Sequence, residues 1–140
     1  MANYYIESEF TYKNFRCVVV FNCLGGHRCG YVEIPFNHPI ADKDYDELTD
    51  INVHGGITFT KYEHATYPLE SDSGWIGFDC GHCDDRTDFE SWIKYCPENL
   101  ERIRKLKSII IRDRHSTIKS TEFCEKECKK IVDQLIKEVK

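Results

Sequence analysis

A chain of 140 residues with 41% hydrophobic and 13% aromatic side chains has material for one ordinary core, which excludes a disordered tract and marks 1–140 as a single domain. A net charge of −5 argues against a general binder of the phosphate backbone, and no apolar run approaches the roughly 20 residues of a membrane span. Met1-Ala2-Asn3-Tyr4-Tyr5 has neither the basic nor the apolar region of a secretory signal, so a cytoplasmic protein is expected, its eight cysteines thiols or metal ligands before disulfides.

Residues 9–12 read as one arm of a hairpin turning at Lys13-Asn14. Residues 15–21 (Phe-Arg-Cys-Val-Val-Val-Phe) are β-branched and aromatic without a breaker, the signature of a buried strand. Gly25-Gly26 turns the chain into a third strand over 29–34, which Pro35 stops. Such close neighbours pair antiparallel, because a parallel pair needs a crossover of roughly a dozen residues. Residues 37–50 predict an ordered loop or a short helical turn anchored by Ile40, Tyr45 and Leu48. A fourth strand is expected over 53–60, with Val53, Ile57 and Phe59 inward and His54, Thr58 and Thr60 on the other face. A loop over 64–74 leads to a last strand over 75–80, placing Ile76, Phe78 and Cys80 opposite Trp75, Gly77 and Asp79.

Beyond residue 85 the pattern turns helical. Residues 89–95 predict a short helix broken at Pro97, and 100–111 fit either a helix or a strand. A long C-terminal helix, capped by Ser120 or Thr121, carries Cys124, Cys128, Ile131, Val132, Leu135, Ile136 and Val139 as one apolar stripe. The expected architecture is α+β: an antiparallel sheet of about five strands packed by that helix and a shorter one. Cys17, Cys124 and Cys128 read as small core residues, and Cys23, Cys29 and Cys96 have no evident place.

Three segments set glycine beside polar or aromatic groups: residues 25–31, 53–56 and 77–85. Each also fits an ordinary hairpin turn. Together they suggest a site, because glycine lets a ligand approach the backbone. For ligand binding the candidates are Arg28, His54, Gly55, Gly56, Thr58, Trp75, Asp79 and His82, with Arg28 meeting phosphate, His27 adding charge, and Tyr31, Tyr45, Trp75 and Trp92 offering rings for stacking. For acid–base chemistry they are His54 and His82 with Asp79, Asp84 or Asp85 as the orienting carboxylate. For metal, Cys80-Gly81-His82-Cys83 is one knuckle of a zinc site through Cys80, His82 and Cys83, with no second knuckle at standard spacing. The chain has no GxSxG, Walker A or HExxH motif.

The ordered set His27-Arg28-Cys29-Gly30-Tyr31-Val32, Ile34-Pro35, His38-Pro39, Asp44-Tyr45, His54-Gly55-Gly56-Ile57-Thr58 and Gly77-Phe78-Asp79-Cys80-Gly81-His82 resembles a widespread family of small tailed-phage and prophage proteins. The run from Glu122 through Cys128 resembles that family's closing helix, so the likeness covers 12–136. Family members often carry a small residue at the position of Cys83, whereas His54, Asp79, Cys80 and His82 fall on the shared pattern. By analogy of size and genomic company, the resemblance implies an accessory protein that counters host defence in the host cytoplasm. It would bind and sequester a nucleotide-derived signal, a cyclic oligonucleotide or ADP-ribose derivative. The alternatives are a phosphodiesterase that cleaves such a signal with His54, His82 and Asp79, and a module that blocks a host protein. No cofactor is required by these readings, and a homo-oligomer is compatible with each.

Overall fold

The uninterrupted apolar run becomes the middle of the sheet's larger half. In the computed structural model, which describes residues 3–109 and 116–138, strand β2 (Phe15–Asn22) lies between β1 (Tyr4–Tyr12) and β3 (His27–Glu33). β5 (Gly74–Asp79) pairs with β3, and β4 (Phe59–Tyr62) closes the far edge, giving an antiparallel order β1-β2-β3-β5-β4. Helix α3 (Thr121–Glu138) crosses one face of β1, β2 and β3, and Ser120 caps it by accepting the Phe123 amide on Oγ at 3.1 Å. Its buried stripe of Cys124, Cys128, Ile131, Val132 and Leu135 meets Cys17, Val19, Val32, Ile76, Phe78 and Cys80. Ile136 is half-buried, and Val139 lies outside the described residues.

Both faces of the sheet are covered, which is why β2 reads as continuous rather than alternating. Val18, Val20, Tyr31 and Trp75 point away from α3 and pack under Ala65, Tyr67 and Leu69 of the loop that joins β4 to β5. At the end of the sheet, α1 (Phe89–Tyr95) and α2 (Leu100–Ile109) put Trp92 and Ile103 on Phe21. A 3-10 turn over Pro97–Asn99 separates these two helices, and another over Tyr45–Glu47 lies in the 37–50 segment. The ambiguous segment is therefore helical over 100–109; its residues 110 and 111 lie outside the described part. Among the described residues, no helix is long and apolar enough to cross a membrane.

Three expectations are corrected. β1 begins at Tyr4 rather than residue 9, because a register shift between Ile6 and Ser8 breaks the alternation that would have revealed it. That shift sends two consecutive side chains to the α3 side, where Glu7 meets Arg28 and the Ser8 hydroxyl meets Glu125 of α3. β4 is confined to 59–62, because Gly55 and Gly56 take φ of 70° and 79°, a left-handed backbone that ends a strand. Cys23 and Cys96, 73 residues apart, are joined as a disulfide, so they are not among the thiols. The remaining six cysteines are free, and of these only Cys83 is exposed.

Candidate functional site

Where β5 ends, three stretches of chain converge. The first follows β5 directly through Cys80, Gly81 and His82 to Asp85, and is pinned by the Arg86 amide to the Thr117 carbonyl at 2.8 Å and the Thr117 amide to the Asp84 carbonyl at 3.1 Å. The second is the left-handed turn at Gly55-Gly56, tied to α3 by the His54 amide, which donates to Glu127 Oε1 at 2.8 Å. The third is the start of α3, which contributes Phe123 and Cys124.

Asp85 is the centre of this arrangement. Its carboxylate is 2% exposed and accepts His54 Nε2 at 2.9 Å on each oxygen, the His82 amide at 3.0 Å and Lys119 Nζ at 3.1 Å. Burial pushes this carboxyl up, but the hydrogen bonds from His54, the His82 amide and Lys119 outweigh it and hold it below the usual carboxylate value. An ionised Asp85 requires the proton on His54 Nε2. In the neutral ring Nδ1 is then the acceptor, and it has no hydrogen bond among the described residues. The His54 ring is fixed edge-on against Phe123 at 5.3 Å and against His82 at 5.9 Å.

His82 and Asp79 form a looser second pair. His82 Nε2 is 3.3 Å from Asp79 Oδ1 but lacks hydrogen-bond geometry, and this buried nitrogen has no other partner among the described residues. Asp79 is held by Thr58 Oγ1 at 3.0 Å and by the Gly81 amide at 2.9 Å. Gly55 makes the close fit with His82: a Cβ there would lie 2.2 Å from His82 Nε2, whereas a Cβ on Gly56 would meet nothing within 4 Å. Gly55→Ala is therefore expected to displace the His82 ring, visible as a shift of its imidazole resonances. Gly56→Ala should cost only the strain of a left-handed backbone, about 1–2 kcal/mol in urea unfolding, with the His82 resonances unmoved. Equal shifts in both variants would contradict this seating of His82.

The structure thus brings together His54, Gly55, Gly56, Thr58, Asp79 and His82, and it leaves two expected ligand residues outside. Arg28 is only 6% exposed. Its Nε donates to Glu7 Oε1, one terminal nitrogen to Asp88 Oδ2 and the Lys119 carbonyl, and the other to Glu7 Oε2 and Ser91 Oγ. Those bonds use every N–H of a guanidinium, so none is left for a phosphate. Trp75 is fully buried on the face away from α3, with Nε1 donating to the Leu69 carbonyl at 2.9 Å. Of the other rings offered for stacking, Trp92 and Tyr31 are buried and Tyr45 sits apart on its 3-10 turn. His27 does approach, its ring lying 3.4 Å from where a Gly81 Cβ would be.

No family model, no curated protein and no solved structure matches this chain. The site must be read from its own chemistry.

The set that zinc would require at Cys80, His82 and Cys83 is not assembled, since Cys83 is exposed while Cys80 is buried. Among the described residues, the one set of three metal-competent donors is His54, Cys80 and Asp85, with ligand atoms within 4.8 Å of one another. Cys80 is buried with Sγ 3.6 Å from Cys124 Sγ. The neighbouring Cys124 thiol, burial and the two aspartates all push the Cys80 thiol far up, so as a free thiol it is a poor nucleophile. Sequence reasoning named Asp85 only among three candidate aspartates and missed Lys119, Phe123 and Glu127. These come from a helix start that meets the turn only through the fold, and no local pattern marks them.

Proposed function

We propose that the chain binds a nucleotide-derived small molecule, a cyclic oligonucleotide or an ADP-ribose derivative, at the end of the sheet where His54, Thr58, Asp79 and His82 meet. The observation that carries this reading is the convergence itself: two imidazoles, each against a carboxylate, flank a glycine turn with open space over Gly56. His54 Nδ1, which has no hydrogen bond among the described residues, and the exposed Thr58 suit the polar edges of a base or a ribose, and open backbone at glycine lets a ligand approach closely. The ligand class follows from the resemblance to tailed-phage accessory proteins, with which the chain would act in the host cytoplasm against a nucleotide immune signal.

A second reading, cleavage of the same ligand, is favoured by the His54–Asp85 hydrogen bonds at 2.9 Å. A carboxylate that fixes one ring nitrogen as donor leaves the other as a general base. His54 would take a proton from a water whose oxygen bonds to phosphorus, the phosphorus–oxygen ester bond would break, and His82 as the general acid would give the leaving oxygen a proton.

One experiment separates these outcomes. The protein is screened by thermal shift against cyclic dinucleotides, cyclic trinucleotides and cyclic ADP-ribose, and the nucleotide is recovered after denaturation. Binding at one hundred times Kd is worth about 2.7 kcal/mol, or roughly 8–10 °C for a chain of this size. Stabilisation with unchanged nucleotide supports binding. Product formation that is lost in His54→Ala and His82→Ala supports cleavage. Neither stabilisation nor turnover with any of these ligands would overturn both.

A further inference from the structure

We propose that His54, Cys80 and Asp85 form a three-donor site for a zinc-class divalent cation, with its fourth coordination position open to an oxygen of the bound ligand. The inference rests on the ligand site proposed above and names the source of its positive charge.

The donor set fits such an ion. Imidazole nitrogen, thiolate sulfur and carboxylate oxygen together are the ligand types of zinc, and three protein donors with a free fourth position characterise its ligand-exchanging sites. Their ligand atoms already lie within 4.8 Å of one another, on a strand end, a glycine turn and a loop that are each anchored by hydrogen bonds. The Asp85 side chain and Cys80 are buried, and of the three donors His54 is the one whose side chain is measurably exposed, at 18%. The surroundings hold the donors as an outer shell should. Lys119 and the His82 amide orient the Asp85 carboxylate, Glu127 fixes the His54 backbone and Phe123 fixes its ring.

The protons and charges balance. The cation displaces the proton of Cys80, and the proton on His54 Nε2 moves to Nδ1, which has no hydrogen bond among the described residues. Asp85, Lys119 and a neutral thiol sum to zero, and exchanging one proton for a divalent ion adds one positive charge, which offsets the Asp79 carboxylate beside the site. A site for a phosphate-bearing ligand needs that charge, because the Arg28 guanidinium has no N–H to spare and Lys119 is held by Asp85. Cys124 is left as a neighbouring thiol, since it lies beside Cys80 but outside the three-donor set.

The test uses the full chain, stripped with a chelator and titrated with Co2+. The expected result is one cobalt per chain with a thiolate-to-cobalt charge-transfer band in the near ultraviolet and the visible bands of four-coordinate cobalt. His54→Gln and Cys80→Ala should each weaken uptake at least tenfold, with Cys80→Ala also removing the charge-transfer band. His54→Gln leaves the buried thiol pair intact, so it keeps the test decisive if Cys80→Ala fails to fold. Cys124→Ala should retain metal, and inorganic phosphate should shift the visible bands. Absent stoichiometric uptake, or uptake and absorption unchanged by both variants, would overturn the site. Loss of metal in Cys124→Ala, or no response to phosphate, would overturn the open fourth position. A thermal-shift screen on the metal-stripped chain keeps the two readings apart. Nucleotide stabilisation without cobalt uptake leaves the ligand site standing alone, and cobalt uptake without nucleotide stabilisation leaves the metal centre alone.

Discussion

Arg28→Ala is expected to destabilise the fold by roughly 3–5 kcal/mol, the cost of removing one partner from a buried ion pair and leaving the other charge unpaired. Glu7 is 4% exposed in its side chain, and it accepts Arg28 at 2.6 Å and the Tyr95 hydroxyl at 2.7 Å. Asp88 accepts Arg28 at 3.0 Å while capping α1 through the Ser91 amide. Without the guanidinium, the buried Glu7 carboxylate and the partly buried Asp88 carboxylate both lose their cation, and the link from β1 and β3 to the start of α1 is lost. Lysine at this position supplies a charge but only three N–H donors and no planar fork, so Arg28→Lys should recover less than half of the loss. Urea unfolding with unchanged m-values measures both. A cost below about 1 kcal/mol for alanine would mean that the network behaves as an exposed surface pair and that Arg28 is free for other work.

The same network makes a pH prediction. Burial pushes the Asp88 carboxyl up, but the Ser91 hydroxyl and amide together with Arg28 overcome it and hold the group below the usual carboxylate value. A depressed folded pKa contributes stability that is fully present above the unfolded value, about 3.9, and is lost as pH falls through the folded one. The wild-type chain should therefore lose stability steeply below about pH 4, and Arg28→Ala should lose less over that range, so that the two curves converge in acid.

Arg28 also shows where sequence reading stopped. Beside a glycine turn it reads as an exposed cation, because Glu7 and Asp88 lie 21 and 60 residues away and nothing local announces them. The elements with unbroken periodicity were legible: β2, β3, β5, α1 and the α3 stripe all lie where alternation or 3.6-residue spacing put them. Elements interrupted by backbone exceptions were not. The register shift beside Glu7 hid the first half of β1, and two left-handed glycines displaced β4. Trp75 was assigned to the face of Asp79, where β5 does put it, yet the loop over 63–73 buries that face and removes the ring from any ligand. At the candidate site, His54, Thr58, Asp79 and His82 were legible as polar residues near glycine. The choice of Asp85 over Asp79 and Asp84 as the partner of His54 depends on the Thr117 bridge, and the Cys80–Cys124 contact depends on where α3 crosses the sheet. Both are tertiary facts without a local code.

Asp85→Asn is the second substitution with a large expected effect, again about 3–5 kcal/mol. The change keeps the shape and removes the charge. The new amide also turns two N–H groups toward a site where His54, the His82 amide and Lys119 all present donors. Lys119 cannot simply swing away, because its Nζ is also held by the Asp84 carbonyl at 3.2 Å, the Thr117 carbonyl at 3.2 Å and Thr117 Oγ1 at 2.5 Å. It stays as a largely buried cation facing an amide. The converse substitution should be milder. Lys119→Met leaves Asp85 with the hydrogen bonds from His54 Nε2 and the His82 amide, so about 1–2 kcal/mol is expected. The double variant Asp85→Asn/Lys119→Met should then be more stable than Asp85→Asn alone, because it removes the stranded charge; a double-mutant cycle in urea measures that coupling. If Lys119→Met proves the costlier single change, the ammonium rather than the carboxylate organises the centre, and His54 is not held in the way its two 2.9 Å hydrogen bonds require.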